Sequence, residues 1–116
     1  MATRPGLGTW ITRGVHRMFW ETLADADSGS AYSAPNLPDK TVQITGTHGG
    51  ATTVIQGSND GVTWDTLKDI NGNDLSFTTT FDTRAIAENP RYIRPTTSGG
   101  SGTDLDVTII AQSSRR

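Results

Sequence analysis

The chain has no cysteine and few apolar residues, and both shortages limit what it can be. Without cysteine among its 116 residues, it can form neither a disulfide framework nor a thiolate metal site, so the fold must be stable without covalent cross-links. No apolar run approaches the roughly 20 residues that cross a bilayer, and the first eight residues lack the apolar centre of a secretory signal. We therefore expect a soluble protein that folds in a reducing cytoplasm, with no membrane partner.

Positive charge and histidine are also scarce. The net charge is −2, which lacks the basic footprint of a protein that follows a phosphate backbone, so we expect no nucleic-acid partner. His16 and His48 are the only histidines, too few for a structural zinc site without cysteine. Two pairs of aspartates, 25 with 27 and 104 with 106, could face a cation, but no calcium-loop spacing surrounds them. We predict no metal and no cofactor.

No motif of enzyme chemistry occurs in the chain. The serines fall in turns without a nucleophile elbow, and the glycine-rich segment 57–61 lacks the lysine and the helix of a phosphate loop. A domain of this size has little room for a cleft between two catalytic acids. We therefore expect a protein that is not an enzyme.

The residues that are abundant favour an all-β fold. Threonine, glycine and serine number 19, 13 and 9, and only 33% of the residues are apolar, a composition that suits pleated, half-solvated strands around a thin core. Turn signals recur every 8 to 15 residues. We predict one antiparallel β-sandwich or jelly roll of seven or eight short strands over residues 10–112, with an extended N-terminal arm (1–9) and a C-terminal tail (113–116).

Alternation of apolar and polar residues places the strands. Residues 10–23 are predicted as one long strand with a bulge at Gly14, although a helix is an alternative there. Residues 24–39, with their turn formers and two prolines, are predicted as a long loop. Further strands follow at 41–45 and 52–56, predicted as neighbours in one sheet, and then at 75–81, 92–94 and 105–109.

A β-hairpin is the clearest local signal. Gly57 and Gly61 bracket Ser58, Asn59 and Asp60, side chains that hydrogen-bond their own backbone and hold a turn. Trp64 follows this turn. We predict that it plugs the core, with a sugar-stacking platform as the alternative.

Arginine beside tryptophan marks a candidate interface. Eight of the ten cations are arginine, and large aromatic residues beside arginine are enriched at protein interfaces. For the tryptophans the alternative is core packing, and for the terminal arginines it is a solvated tail. The arm, the 24–39 loop and the terminal pair are the segments expected to make contacts. The candidate residues for contact with a capsid or another subunit are Arg4, Trp10, Arg13, Arg17, Trp20, Arg115 and Arg116.

Two segments resemble coagulation-factor-type discoidin domains. They are Gln56-Gly57-Ser58-Asn59-Asp60-Gly61-Val62-Thr63-Trp64 and Arg91-Tyr92-Ile93-Arg94. Such domains are jelly-roll sandwiches that bind glycans or lipids. The resemblance implies, as one alternative, a glycan-binding module.

The whole chain resembles small virion proteins of tailed phages. The similarity lies in Gly6-Leu7-Gly8-Thr9-Trp10-Ile11, in Asp39-Lys40-Thr41-Val42-Gln43-Ile44-Thr45-Gly46, and in the hairpin together with Arg91-Tyr92-Ile93-Arg94-Pro95. The resemblance implies a decoration or cement protein, commonly trimeric, that is assembled in the host cytoplasm and binds the major capsid protein on the outer surface of the head. Similar sandwiches occur in phage tails and baseplates, which leaves a tail component as a further alternative.

Overall fold

The computed structural model describes residues 3–78 and 83–113, and this part of the chain is all-β. Eleven strands form two sheets that pack face to face. The predicted all-β antiparallel sandwich is confirmed. The predicted count of seven or eight strands is wrong, because four of the eleven strands have only two residues each and carry no alternating pattern.

The first sheet has six strands. Five of them lie in the order β1 (Thr3–Arg4), β4 (Ser28–Gly29), β10 (Tyr92–Gly99), β6 (Ala51–Ser58) and β7 (Asp65–Thr66), and β8 (Ser76–Phe77) also pairs with β6. Only the β1–β4 pair among these is parallel.

The second sheet has five strands, all antiparallel. Their order is β2 (Leu7–Thr12), β3 (Val15–Leu23), β11 (Asp104–Gln112), β5 (Asp39–Thr47) and β9 (Thr83–Ile86).

The N-terminal segment differs from the prediction. Residues 10–23 do not form one strand: Gly14 has a φ of +76°, a left-handed conformation that suits glycine, and the chain turns back there to make the β2–β3 hairpin. Most of the arm that the structure describes belongs to the sheets. Thr3 and Arg4 pair with β4, and residues 7–9 pair with β3.

Strands β5 and β6 are consecutive in the chain but lie in different sheets. They were predicted as neighbours in one sheet, and this is wrong: β5 pairs with β11 and β9, whereas β6 pairs with β10, β7 and β8. The short turn at 48–50 carries the chain across the sandwich. Alternation fixes which side chains of a strand share a face, but it does not fix the partner strand.

The core lies between the sheets and is completed by the long loop. Val42, Ile44, Ile55, Val107 and Ile109 are fully buried and come from β5, β6 and β11. The segment predicted as the 24–39 loop contains the short strand β4 and ends where β5 begins. It adds three further buried apolar residues, Tyr32, Ala34 and Leu37. A large part of the loop predicted to contact a partner is therefore packed inside the domain.

Candidate interaction surface

The β2–β3 hairpin, residues 7–23, presents the longest exposed edge of the described sheets. We call it the edge hairpin. Strand β2 is the last strand of its sheet, and all six of its residues are exposed. The edge strands elsewhere have two to four residues. A free strand edge carries unpaired N–H and C=O groups that can pair with a strand of another chain.

Three large apolar side chains lie on this edge. Leu7, Trp10 and Ile11 are 54%, 60% and 56% exposed. Strand edges that avoid pairing carry lysine, proline or inward charges, and β2 has none of these. The edge hairpin is therefore chemically suited to contact another surface.

Trp10 is held in place by a chain of aromatic contacts. Its ring meets the edge of His16 with 4.8 Å between centroids, and His16 stacks on Tyr32 at 5.5 Å. His16 Nδ1 also lies 2.8 Å from the Tyr32 hydroxyl, and burial raises the pKa of Tyr32. Tyr32 in turn contacts the core residue Trp20 at 6.3 Å. Trp10 is thus exposed but supported from the core, which lowers the entropy cost of using it as an anchor.

Two arginines accompany the apolar residues of the edge hairpin. Arg17 is exposed, and its guanidinium carbon lies 4.7 Å from the Phe19 ring centroid. Arg13 is exposed at the turn beside Gly14. Within the described ranges neither arginine has a carboxylate within 4.0 Å. Three of the predicted interface residues, Trp10, Arg13 and Arg17, therefore lie on the edge hairpin. Trp10 and Arg17 are on opposite faces of it, because Trp10 pairs with His16, the neighbour of Arg17.

The other predicted interface residues are placed differently. Arg4 forms an ion pair with Asp27, with Nε 2.7 Å from Oδ2, and so fastens β1 to the 24–39 loop. Trp20 is fully buried, and its Nε1 donates a hydrogen bond to the Ser30 carbonyl oxygen at 3.1 Å. It is a core residue, because a side chain with no exposed surface has nothing to offer a partner. Arg115 and Arg116 lie outside the described residues.

Leu7 and Ile11 are not among the interface residues predicted from the sequence. Residues 1–9 are predicted as a separate arm, and Ile11 is predicted as part of one long strand. The signal that could have found them is Gly14, because a glycine turn there makes β2 the outer strand of a hairpin. The three apolar side chains of this outer strand are then exposed to solvent.

The tip of the β6–β7 hairpin, residues 59–64, confirms the predicted turn chemistry. The Asp60 carboxylate accepts hydrogen bonds from the Ser58 hydroxyl and from the backbone N–H groups of Val62 and Thr63, at 2.8 to 2.9 Å. These bonds, first the one from Thr63, lower the pKa of Asp60 to about 2. The tip is therefore ordered by its own side chains.

The prediction that Trp64 plugs the core is wrong. The side chain is half-buried, and the guanidinium carbon of Arg94 lies 4.1 Å from its ring centroid. Arg94 Nε donates to Gln56 Oε1 at 3.0 Å. The core side of this sheet is filled by Ile55, Ile93 and Leu67 instead. Trp64 belongs to an arginine–aromatic cluster on the surface.

An open cleft lies beside the hairpin tip. Its volume is about 670 Å³, and the absence of a side chain at Gly57 lets Leu67 and Pro90 pack against the backbone there. No aromatic ring is among the residues that line it, which are 57–60, 63, 65–67 and 88–90. A sugar that stacks on an aromatic ring finds no such surface in this cleft.

The paired aspartates serve as hydrogen-bond acceptors. Asp25 Oδ1 accepts the Thr103 N–H and Asp106 Oδ1 accepts the Thr22 N–H, each at 3.1 Å. Over residues 3–78 and 83–113, no group of three or more histidine, aspartate or glutamate residues is arranged to hold a metal ion. The same part of the chain has no helix long and apolar enough to span a membrane.

The described residues define a small two-sheet β-sandwich with an exposed hairpin at one edge. The sequence matches no protein-family model and no curated protein. The fold is similar to the crystal structure of the SPBc2 prophage-derived protein YomS, with a TM-score of 0.66 and 11% identity over 89% of this chain and 98% of that one. At this identity the similarity shows the fold alone.

A second crystal structure, Peruvianin-I, a cysteine peptidase from Thevetia peruviana latex, gives a TM-score of 0.45 and 15% identity. It is aligned over 90% of this chain and 55% of the peptidase. This score is too low to support any argument.

Proposed function

We propose that this protein is a non-catalytic component of a tailed-phage virion that binds the outer surface of the capsid and stabilises it as a decoration protein. The partner is the major capsid protein, and the protein acts as a homo-oligomer, with a trimer favoured. It is assembled onto the particle in the host cytoplasm. The observation that carries the proposal is the edge hairpin, because an exposed strand with three large apolar residues needs a partner surface.

The fold supports a phage origin. One solved structure with similar architecture comes from a prophage and is covered almost completely, at 98% of its length. The sequence resemblance to virion proteins points in the same direction and includes residues 6–11 at the start of the edge hairpin.

The chemistry of the edge hairpin suits strand addition to a capsid surface. The free backbone groups of β2 would pair with an extended segment, Trp10 would enter an apolar pocket, and Arg13 and Arg17 would meet carboxylates in forked hydrogen bonds. No catalytic step is needed. A protein that binds only the mature shell stabilises that shell by mass action, and repeated copies around a symmetry axis add avidity.

The principal test combines particle composition with heat resistance. Purified particles of the phage that encodes the chain should contain it in fixed proportion to the major capsid protein. Particles that lack it should release DNA at a lower temperature and recover when the recombinant protein is added. Absence from purified particles, or an unchanged release temperature, would refute the proposal.

A Trp10→Ala variant tests the surface. An aromatic residue buries 150–250 Å², so the 60% exposed part of Trp10 offers roughly 150 Å², worth at most about 4 kcal/mol. We expect at least about tenfold weaker binding to particles, with little loss of stability. Ile70→Ala is the matched control, since Ile70 is 61% exposed and lies outside the edge hairpin. Equal binding by both variants would exclude this surface.

A tail or baseplate role would use the same edge hairpin with a different partner. If electron microscopy finds the labelled protein on tails instead of heads, the tail or baseplate role is the correct one.

A further inference from the structure

We propose that the Arg94 side chain, held between Trp64 and Gln56, forms a second docking surface that binds carboxylates on an acidic protein surface. We call Trp64, Arg94 and Gln56, with the adjacent Arg91 and Tyr92, the Arg94 platform. This inference rests on the proposed function only for the expectation that the acidic partner is another virion protein. The binding of carboxylates by the Arg94 platform is tested without phage particles.

The platform lies on the outer face of the six-stranded sheet. Arg94 pairs with Gln56 across β10 and β6, and Gln56 pairs with Thr66 of β7. The neighbours Ile55 and Ile93 are buried in the core. Because successive side chains point to opposite faces, Gln56 and Arg94 face away from the core, and Trp64, two residues before Thr66, lies with them.

The Arg94 guanidinium is fixed in a defined orientation. Its carbon lies 4.1 Å from the Trp64 ring centroid, and Nε donates to Gln56 Oε1 at 3.0 Å. These contacts use one face of the guanidinium and one of its five N–H groups. The terminal Nη groups form the planar fork that matches a carboxylate with two parallel hydrogen bonds.

The arginines of the platform lack a close ion-pair partner among the described residues. Across the residues that the structure describes, no carboxylate lies within 4.0 Å of Arg94 or Arg91. Burial also lowers the pKa of Arg94, because a guanidinium that is partly removed from water loses hydration of its charged form. A partner carboxylate would return that lost solvation, and this charge complementarity selects an acidic partner.

Neighbouring residues extend the platform. The guanidinium carbon of Arg91 lies 5.4 Å from the Tyr92 ring centroid, and the Arg91 N–H donates to Asn59 Oδ1 of the hairpin tip at 3.0 Å. Tryptophan, tyrosine and arginine are the residues most enriched at interface hot spots. The hairpin tip and the start of β10 together present two guanidiniums and two aromatic rings.

The test is a fluorescence titration of the full chain with poly-L-glutamate at pH 7 and low ionic strength. Trp10→Phe serves as the background, so that Trp64 is the only tryptophan near the surface, because Trp20 is fully buried. We expect a saturable change in emission. Arg94→Lys keeps the charge but loses the fork, and should weaken binding about tenfold or more.

Arg84→Lys is the matched control. Arg84 also lies over an aromatic ring, Phe77, but it belongs to the other sheet and already faces the Asp69 carboxylate at 4.0 Å, so its replacement should leave the affinity unchanged. A second variant, Gln56→Leu, keeps Arg94 but removes the acceptor of its Nε–H group. Its binding, measured by calorimetry, should be several-fold weaker. It keeps the proposal testable if Arg94→Lys fails to fold.

Three results would overturn the proposal. The first is no response to poly-L-glutamate. The second is an equal loss in the Arg94 and Arg84 variants, which would indicate nonspecific attraction. The third is a response to alginate, a carboxylated polysaccharide, without one to poly-L-glutamate, which would make the partner a polysaccharide. None of these outcomes depends on whether the edge hairpin binds particles, so the two proposals fail separately.

Discussion

Lys40 offers a direct test of how this thin core tolerates a buried charge. It lies on β5 and is 1% exposed, and its Nζ donates to Asn89 Oδ1 at 2.5 Å. No carboxylate lies within 4.0 Å of it in the described part of the chain. Burial lowers the pKa of Lys40 to about 8. We predict that the free energy of unfolding increases between pH 8 and pH 10 and that Lys40→Met removes this increase.

The sign follows from the proton balance. Between pH 8 and the usual lysine pKa near 10.5, the unfolded chain holds a proton that the folded chain has released. Stability rises with pH wherever the unfolded state binds more protons. A shift from 10.5 to about 8 corresponds to an increase of about 2.5 kcal/mol between pH 7 and pH 10. At pH 7, Lys40→Met should stabilise the protein by at most about 3 kcal/mol.

Urea unfolding followed by the fluorescence of buried Trp20 measures this effect. Titration should end at pH 10, because burial raises the pKa of Tyr32 and ionisation of the unfolded tyrosine lowers stability above that pH. Lys68→Met is the control: the exposed Lys68 is paired with Asp74 at 2.6 Å, and its pKa is raised, so its contribution stays constant to pH 10. Parallel pH profiles for the wild type and Lys40→Met would refute the reasoning.

Two further predictions concern the backbone and a buried histidine. Gly46→Ala should cost about 3 kcal/mol or more, since Gly46 has a φ of +112° and an added Cβ would overlap the Asp104 carbonyl oxygen of β11. Gly72→Ala, at a φ of +83° but in open space, should cost only about 1 kcal/mol in the same urea experiment. Burial lowers the pKa of His48 below its usual 6.5. As the pH falls, the unfolded state therefore takes up the proton before the folded state does. The melting temperature should fall as the pH drops below 6.5, and it should fall less in the His48→Gln variant. An equal fall in the wild type and the variant would contradict this prediction.

Local chemistry explains which parts of the fold the sequence could predict. The β6–β7 turn was predictable because Ser58 and Asp60 bind their own segment, with no help from distant residues. The all-β class was predictable from threonine content and alternation. The sheet assignment of β5 and β6 was not, because it depends on pairing with β11 and β10, whose paired residues lie 34 or more positions away in the chain.

The two N-terminal tryptophans show a second limit. Alternation places Trp10 and Trp20 on the same face of the segment, and the structure agrees, since Trp10 pairs with His16 and Trp20 is buried beside Met18. What separates them is position across the sheet. Trp20 lies on an inner strand under the 24–39 loop, whereas Trp10 lies on the edge strand, and that difference comes from a turn at Gly14 that alternation does not reveal. The contact between Arg94 and Trp64 was missed because it joins β10 to the residue before β7, and these two side chains are 30 positions apart in the chain.

The positions of the two surfaces determine what one copy does under the proposed function. The edge hairpin belongs to the five-stranded sheet and the Arg94 platform to the six-stranded sheet, so they lie on different layers of the sandwich. A protein with its binding groups on two layers contacts two neighbours at once when it sits between them. When one rigid body makes both contacts, its affinity exceeds that of either contact alone by roughly 100-fold or more. Under the proposed function a thin core would be sufficient, because the particle would gain stability from the joining of neighbours in its lattice and not from the stability of the isolated domain.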